Sequence, residues 1–245
     1  MQIIKSSLFE KFPNLIFGFS TKIGLERKAP FYFNMSLTVG DDLEKVKENR
    51  EAFFNELGLT TEQIAFQKQL HLDIITVVRH AGMVGESDAL ITAEKRIGLT
   101  ISTADCTPIF MYDRKNKIIA AVHSGWRGTE KQILRKTITK LIEQFGTKPE
   151  KLFVYFGPSI TQKNYEVGED VAVKFDSKYL RKISGKLYLD VVDVNKDIVY
   201  DFAIPKSNIE ISPLCSYEEK DLLQSYRRDR EKSGRALGVL AMKGN

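Results

Sequence analysis

Three side chains in this 245-residue sequence have the chemistry to hold a reactive metal. They are His71 in Gln69-Leu70-His71, Cys106 in Ala104-Asp105-Cys106, and His123 in Val122-His123-Ser124-Gly125-Trp126-Arg127-Gly128. The chain has 3 histidines and 2 cysteines in all, so these are most of its soft ligands. Two imidazoles and one thiolate can bind zinc and leave its fourth position open. An open position separates a metal that reacts from one that only staples a fold. His80 and Cys215, the remaining two, are read as structural, cysteine being often buried simply as a small hydrophobe. The spacing of the three matches neither zinc fingers nor an HExxH helix. Only the fold can bring them together.

A hairpin supplies part of that geometry. In TPIFMY-DRKN-KIIAAVH, two apolar runs flank the polar stretch Asp113–Asn116. Pairing Tyr112 with Lys117 sets Met111 against Ile118, Ile109 against Ala120, and Cys106 against His123. Directly opposed residues share a face, with Cα atoms about 4.5–5.5 Å apart. A one-residue slip would separate them. Pro108 lacks an amide hydrogen, which predicts an edge strand or a bulge there. His71 must arrive from elsewhere.

The remaining elements are legible from pattern. Predicted strands are Leu15–Ser20, Asp73–Arg79, Leu99–Thr103, Thr107–Tyr112, Lys117–His123, Lys151–Phe156, Asn208–Ser212 and Ala236–Met242,. Asp41 or Asp42 caps a helix running to Leu57, with Gly58 as its stop. Thr129 caps a second that ends before Gly146, with Ile133, Leu134, Ile138, Leu141, Ile142 and Phe145 in one stripe. A third is predicted over Glu169–Leu180. A fourth follows Asp193, with Val194, Ile198, Val199 and Phe202 inward. Some strands adjoin directly and others are separated by helices, which favours an α+β or layered mixed-sheet fold. There is no dinucleotide fingerprint, P-loop, repeat or linker.

Composition narrows the function classes. The hydrophobic fraction of 42% and charged fraction of 28% are those of a soluble globular protein,. No stretch approaches the roughly 20 apolar residues of a membrane helix, and the first residues carry no signal-peptide pattern. A cytoplasmic location with reduced thiols is expected. The net charge of +5 permits an anionic partner,. Its basic residues are interspersed with acidic ones, so no nucleic-acid groove is expected.

Two features suggest what the open position faces. The strand ending at His123 runs through Gly125-Trp126-Arg127-Gly128 towards a helix, a geometry that offers backbone amides to an anion. Arg127 can add a bidentate contact to phosphate or carboxylate. In the helix before Gly58, Leu43, Val46, Phe53 and Leu57 form an apolar stripe whose beat calls for an apolar residue at position 50. The sequence has Arg50, which is costly there unless it is paired, snorkels or lines a cavity.

In combination and in order, several segments resemble the YfiH-type family of laccase-domain proteins, long called polyphenol oxidases and more recently purine nucleoside phosphorylases. They include Asn34-Met35-Ser36-Leu37, Glu48-Asn49-Arg50, Gln69-Leu70-His71, Ser87-Asp88-Ala89-Leu90, Thr103-Ala104-Asp105-Cys106-Thr107-Pro108, the Gly-Trp-Arg-Gly turn, Gly157-Pro158-Ser159-Ile160 and Ser225-Tyr226-Arg227-Arg228-Asp229. They span most of the chain. The resemblance implies a single domain over residues 1–245 with an α/β/β/α layered fold, and zinc, or copper, on His71, Cys106 and His123. It implies phosphorolysis of adenosine, inosine and 5′-methylthioadenosine, with adenosine deamination as a second activity. Purine nucleosides and phosphate are then the partners, and the chain is expected to be a monomer or weak homo-oligomer. Asn34 and Arg50 fall where the family contacts substrate. The sequence departs from the family at Leu72, where glycine is common, and at Ser124, where alanine is usual.

An open zinc site can activate water or orient the reactants of a phosphate attack. Arg50 and Arg127 are the candidates to hold phosphate or ribose, and Asp105 is a candidate supporting or proton-relay carboxylate. Three rivals remain. A multicopper oxidoreductase needs more imidazoles than the chain has, and no compact blue-copper loop is present. A cysteine hydrolase with Cys106 as nucleophile and His123 as base leaves His71 unexplained. A closed structural zinc site needs His80 or Cys215 as its fourth ligand.

Overall fold

The structure, a computed structural model, describes residues 1–244. Two six-stranded mixed sheets lie face to face. The first has the order Ile3–Ile4, Leu15–Ser20, Ala236–Met242, Gly98–Thr103, Ile64–Lys68, Gly82–Glu86. The second has the order Ile209–Ile211, Leu152–Phe156, Thr107–Asp113, Ile118–Ser124, Ala89–Thr92, Ile75–Val77. A small third sheet is formed by Glu166–Val167, Lys186–Leu189 and Leu180–Ile183.

Period-two patterning builds the layers. In Thr107–Asp113, Phe110 and Tyr112 join the core between the sheets, packing with Phe17, Leu99 and Ile119. Their neighbours Ile109 and Met111 face the other way, into a core shared with helices Ile133–Phe145 and Val191–Asp201,. Every residue of Thr107–Asp113 and Ile118–Ser124 is buried, as expected of strands covered on both faces. On the outer side of the first sheet, Phe53 and Phe54 of helix Leu43–Glu56 pack on Leu237, Val239 and Ala241. The result is the expected α/β/β/α layering.

Several local expectations are corrected. The hairpin register pairs Asp113 with Ile118 and Pro108 with His123, two positions from the predicted pairing. Asp113 is buried inside the strand because its carboxylate caps the turn, accepting from the amides of Lys115 and Asn116. The shift is even, so Cys106 and His123 keep the same parity. Strand Thr107–Asp113 is central, not an edge. Pro108 is tolerated there because it lies next to the strand's start, at the last rung against Leu152–Phe156. Its carbonyl still accepts from the Gly157 amide at 2.8 Å,.

Helix boundaries also move. Thr129 is no cap: it lies inside a short helix, Trp126–Glu130, which is separated from Ile133–Phe145 by left-handed Gln132. The Thr129 hydroxyl instead joins a buried network with Ser124 and Asn195. The predicted helix Glu169–Leu180 stops at Ala172. Asp176 captures the Lys178 amide in a local turn, and Leu180 enters the small sheet,. Helix Val191–Asp201 is capped by Asp190, not started by Asp193. Its Ile198 and Val199 are buried as expected.

The two sheets approach closely at Gly238. A Cβ there would lie 2.4 Å from Phe110 Cζ and 3.0 Å from Phe19 Cδ2. Neither ring can retreat, since both are fully packed between the sheets. Gly238→Ala is therefore expected to destabilise the fold by about 1–3 kcal/mol. Chemical denaturation of the variant against the parent measures this, and an unchanged midpoint contradicts the packing account.

Candidate metal centre

The three ligand candidates come from both sheets and meet where the sheets end. His71 follows strand Ile64–Lys68 of the first sheet, and Cys106 follows Gly98–Thr103 of the same sheet. His123 lies in Ile118–Ser124 of the second sheet. Their donor atoms all lie within 4.8 Å of one another. Cys106 Sγ is 3.9 Å from His71 Nε2. The two imidazole rings stand edge to face, with centroids 4.7 Å apart.

The chain bends sharply to achieve this. His71 has φ +60° and Asp105 has φ +98°, both in a region non-glycine residues rarely adopt,. Gln69 secures the first bend by exchanging two hydrogen bonds with the Ser102 backbone. Asp105 is held by the Ser216 hydroxyl at 2.6 Å and the Arg227 amide at 2.6 Å. Gly125 supplies clearance: a Cβ there would lie 2.7 Å from Cys106 Sγ.

The residue that organises the centre is one the sequence reading left without a role. Asp88 is fully buried at the start of the second sheet's strand Ala89–Thr92. Its carboxylate accepts from the backbone amides of Leu70, His71 and Leu72 at 3.1, 3.0 and 2.8 Å. It also meets His123 Nδ1 at 2.8 Å. That contact turns His123 Nε2 towards Cys106 and His71, the orientation a metal requires. Burial opposes the charge on Asp88, but His123 and the amides of Leu72 and Leu70 outweigh it and hold the carboxyl below its ordinary range. The same logic applies next door. Burial opposes ionisation of Cys106, yet the two imidazoles hold its thiol below the ordinary range. Burial likewise opposes the charge on His123, but Cys106 and Asp88 hold it above the usual imidazole range.

The donor set fits a metal. Tetrahedral zinc, with Zn–N about 2.0–2.1 Å and Zn–S about 2.3 Å, needs ligand atoms roughly 3.3–3.6 Å apart. Small side-chain movements reach that from the observed separations. No other such group of His, Cys, Asp and Glu occurs among the described residues. Cys215 is buried and accepts from the Thr161 amide and hydroxyl and from Asn164. His80 is exposed in a turn. Neither belongs to the cluster, so a tetrahedral ion held by His71, Cys106 and His123 would have three protein ligands,.

The other sequence candidates differ in how free they are. Asn34 is fully buried and spends its amide on Ser36, Asp41 and the Arg235 backbone. Arg50 stacks over Phe66 at 4.8 Å and donates once, from Nε to the Met35 carbonyl. Burial pulls its pKa down to about 10. Arg127 is exposed and stacks over Trp126 at 4.5 Å. Leu72 gives its amide to Asp88 and Ser124 its hydroxyl to Asn195. A cleft of about 410 Å³ opens beside Arg27, Lys28, Tyr32, Asp41 and Lys45. It contains neither imidazole nor thiol, so the reactive groups lie outside it.

Comparison with known proteins agrees with this architecture. Residues 16–243 match the family model described as multi-copper polyphenol oxidoreductase laccase. The chain belongs to this laccase-domain family. It is 33% identical over 230 residues to a purine nucleoside phosphorylase of Bacteroides thetaiotaomicron, covering 86% of this chain and 85% of that one. It is 29% identical over 241 residues to adenosine deaminase RL5 from an unknown prokaryotic organism, covering 90% and 91%. The crystal structure of a Bacillus licheniformis hypothetical protein, YfiH, superposes with a TM-score of 0.91 at 29% identity, covering 96% and 95%. Despite the family's description, the laccase-domain centre here gathers one cluster of three ligands, and 3 histidines in the chain are too few for a multinuclear copper site,.

If Asp88 orients the ligands, Asp88→Asn should weaken zinc binding by about 10–100-fold while leaving the fold in place. Competition with a chromophoric chelator reads the affinity, and circular dichroism checks the fold. Unaltered affinity contradicts the role given to Asp88.

Proposed function

We propose that this chain is a metal-dependent purine nucleoside phosphorylase. Its substrates are adenosine, inosine and 5′-methylthioadenosine, and adenosine deamination is a second activity. The observation that carries this reading is the convergence of the His71, Cys106 and His123 donor atoms to within 4.8 Å of one another. Relatives named purine nucleoside phosphorylase and adenosine deaminase, covering most of the chain, support it.

His71, Cys106 and His123 hold zinc, with copper as the alternative. The bound ion supplies a Lewis acid with a free coordination position. The chain's own residues do the rest. In phosphorolysis an oxygen of phosphate bonds to C1′ of the ribose while the bond from C1′ to the purine nitrogen breaks. The sugar gains positive charge as the base departs, so placing an anion against C1′ is the main task. Arg50 and Arg127 contact phosphate or ribose, because each guanidinium is stacked on a ring and has no carboxylate partner among the described residues. Asp105 holds the turn that presents Cys106. Asn34 shapes the wall beside Arg235. Asp88 keeps His123 in the tautomer that presents Nε2.

One observation favours a second reading. Cys106, His123 and Asp88 follow the order thiol, imidazole, carboxylate of a cysteine hydrolase,. That reading gives His71 no task. It is separated by metal analysis: protein purified without chelator that carries no zinc or copper, yet is inactivated by alkylation at Cys106, favours the hydrolase.

The metal-loaded protein is expected to convert inosine and phosphate to hypoxanthine and ribose 1-phosphate. Cys106→Ala should abolish this, and chelation should remove activity that added zinc restores. Chromatography of the released base, run beside adenosine and 5′-methylthioadenosine, checks it. Absence of base release with or without phosphate overturns the proposal.

A further inference from the structure

Seven of the arginines show two kinds of setting. Arg27, Arg135 and Arg228 each pair with a carboxylate. Arg50, Arg127, Arg227 and Arg235 each stack on an aromatic ring instead, and none has a carboxylate partner for its guanidinium among the described residues. Two of the latter group, Arg227 and Arg235, attracted no role from the sequence. Both are placed against the turn that carries Cys106. The Arg227 amide donates to Asp105 at 2.6 Å, and its guanidinium lies 5.1 Å over the Tyr165 ring, donating from Nη1 to the Glu166 carbonyl. Arg235 precedes strand Ala236–Met242, in which Ala236 pairs with Thr103. The register therefore sets Arg235 opposite Ala104, one residue before Asp105. The Arg235 guanidinium stacks over Tyr226 at 5.4 Å and donates only to the carbonyls of Ser233 and Gly234.

Carbonyls and ring faces position a guanidinium without neutralising it. Each of these arginines keeps most of its five donors for something else. Tyr165 adds a neutral donor: its hydroxyl has no hydrogen-bond partner among the described residues. Burial keeps that hydroxyl protonated well above the usual phenol range, with Cys106 and Asp105 acting in the same direction and Arg227 and Arg127 against it. Two guanidinium forks without a hydrogen-bonded carboxylate, Arg235 meeting the charges of Asp105 and Cys106 only through space, and a hydroxyl donor beside one turn match a tetrahedral oxyanion, for which bidentate arginine contacts are the usual solution.

We propose that Arg227 and Arg235, assisted by the Tyr165 hydroxyl, form the subsite that holds inorganic phosphate beside the Cys106 centre. This rests on the phosphorylase reading. It leaves Arg50 to the ribose: Arg50 bonds the Met35 carbonyl, and the Met35 amide bonds the Arg235 carbonyl, so Arg50 flanks the subsite on its far side.

The test is steady-state kinetics of the zinc-loaded enzyme with phosphate and inosine varied separately. In Arg227→Gln and Arg235→Gln the KM for phosphate is expected to rise about tenfold or more, with the KM for inosine little changed. A purely structural role would move both constants together, so an equal rise in both overturns the assignment, as does an unchanged phosphate KM. Should the glutamine variants fail to fold, Arg227→Lys and Arg235→Lys keep the charge and lose the fork. These are expected to raise the phosphate KM severalfold, and no rise overturns the subsite. A parallel thermal melt separates the two levels of inference. If the parent enzyme shows no phosphorolysis, the functional reading fails. Phosphate-induced stabilisation lost in both glutamine variants still supports the subsite, and stabilisation retained in both overturns it.

Discussion

The Asp88 carboxylate is fully buried and accepts four hydrogen bonds, three from successive amides at Leu70–Leu72 and one from His123. A buried carboxylate without partners costs several kcal/mol. Each charge-assisted bond returns about 1.5–3 kcal/mol, so this one is stable only with its full set of donors. That requirement fixes the loop Leu70–Leu72, the ring of His123 and the end of strand Ala89–Thr92 relative to one another. The left-handed backbone of His71 is sustained by the same bonds,. Replacing any of the donors leaves charge uncompensated inside the protein, so the arrangement responds as a unit.

The consequence extends to the whole sandwich. Asp88 and His123 belong to the second sheet, whereas His71 and Cys106 extend from strands of the first. The centre is thus a polar junction between layers whose shared core is built from side chains such as Phe19, Phe110 and Tyr112. Close packing at Gly238 sets the spacing of those layers, and the spacing sets the distance between Cys106 and His123. Core packing and ligand geometry are one constraint here. A core substitution that moves the sheets apart moves the ligands apart too, since interiors packed to crystal density transmit displacement instead of absorbing it.

How much of this was legible in the sequence follows from how local each determinant is. The layering was readable because alternation in segments such as Ile109–Tyr112 is a short-range signal. The common parity of Cys106 and His123 was readable for the same reason, and it survived a register error of two because side chains repeat every second residue. The register itself was missed because Asp113 looks like a loop residue, and its burial depends on amides it captures within the turn. Asp88 carries no local signal of its role beyond its place in Ser87-Asp88-Ala89-Leu90. Its partners lie at Leu70–Leu72 and His123, and no periodicity connects them. An acid beginning the otherwise apolar run Ala89-Leu90-Ile91 was the one available hint. Arg227 and Arg235 were hidden in another way: each has an acid within four residues in the sequence, and only the fold shows that neither guanidinium is paired with it.

The Arg227 and Arg235 guanidinium groups beside the centre have no hydrogen-bonded carboxylate, and Asp105 and Cys106 act on Arg235 only through space. Guanidinium groups held together near an imidazole pair repel one another, and a metal ion adds to the repulsion. Carboxylates would relieve it, but they would also occupy the donors and repel an incoming anion. Aromatic faces and carbonyls offer a weaker compensation that leaves the field intact. Trp126, Tyr165, Tyr226 and Phe66 each carry one arginine in this way. Buried Asp105 is already bound to Ser216 and the Arg227 amide. It therefore holds the turn without competing for the guanidinium forks. In the proposed subsite, an oxyanion would take up the donors that these arginines leave unused.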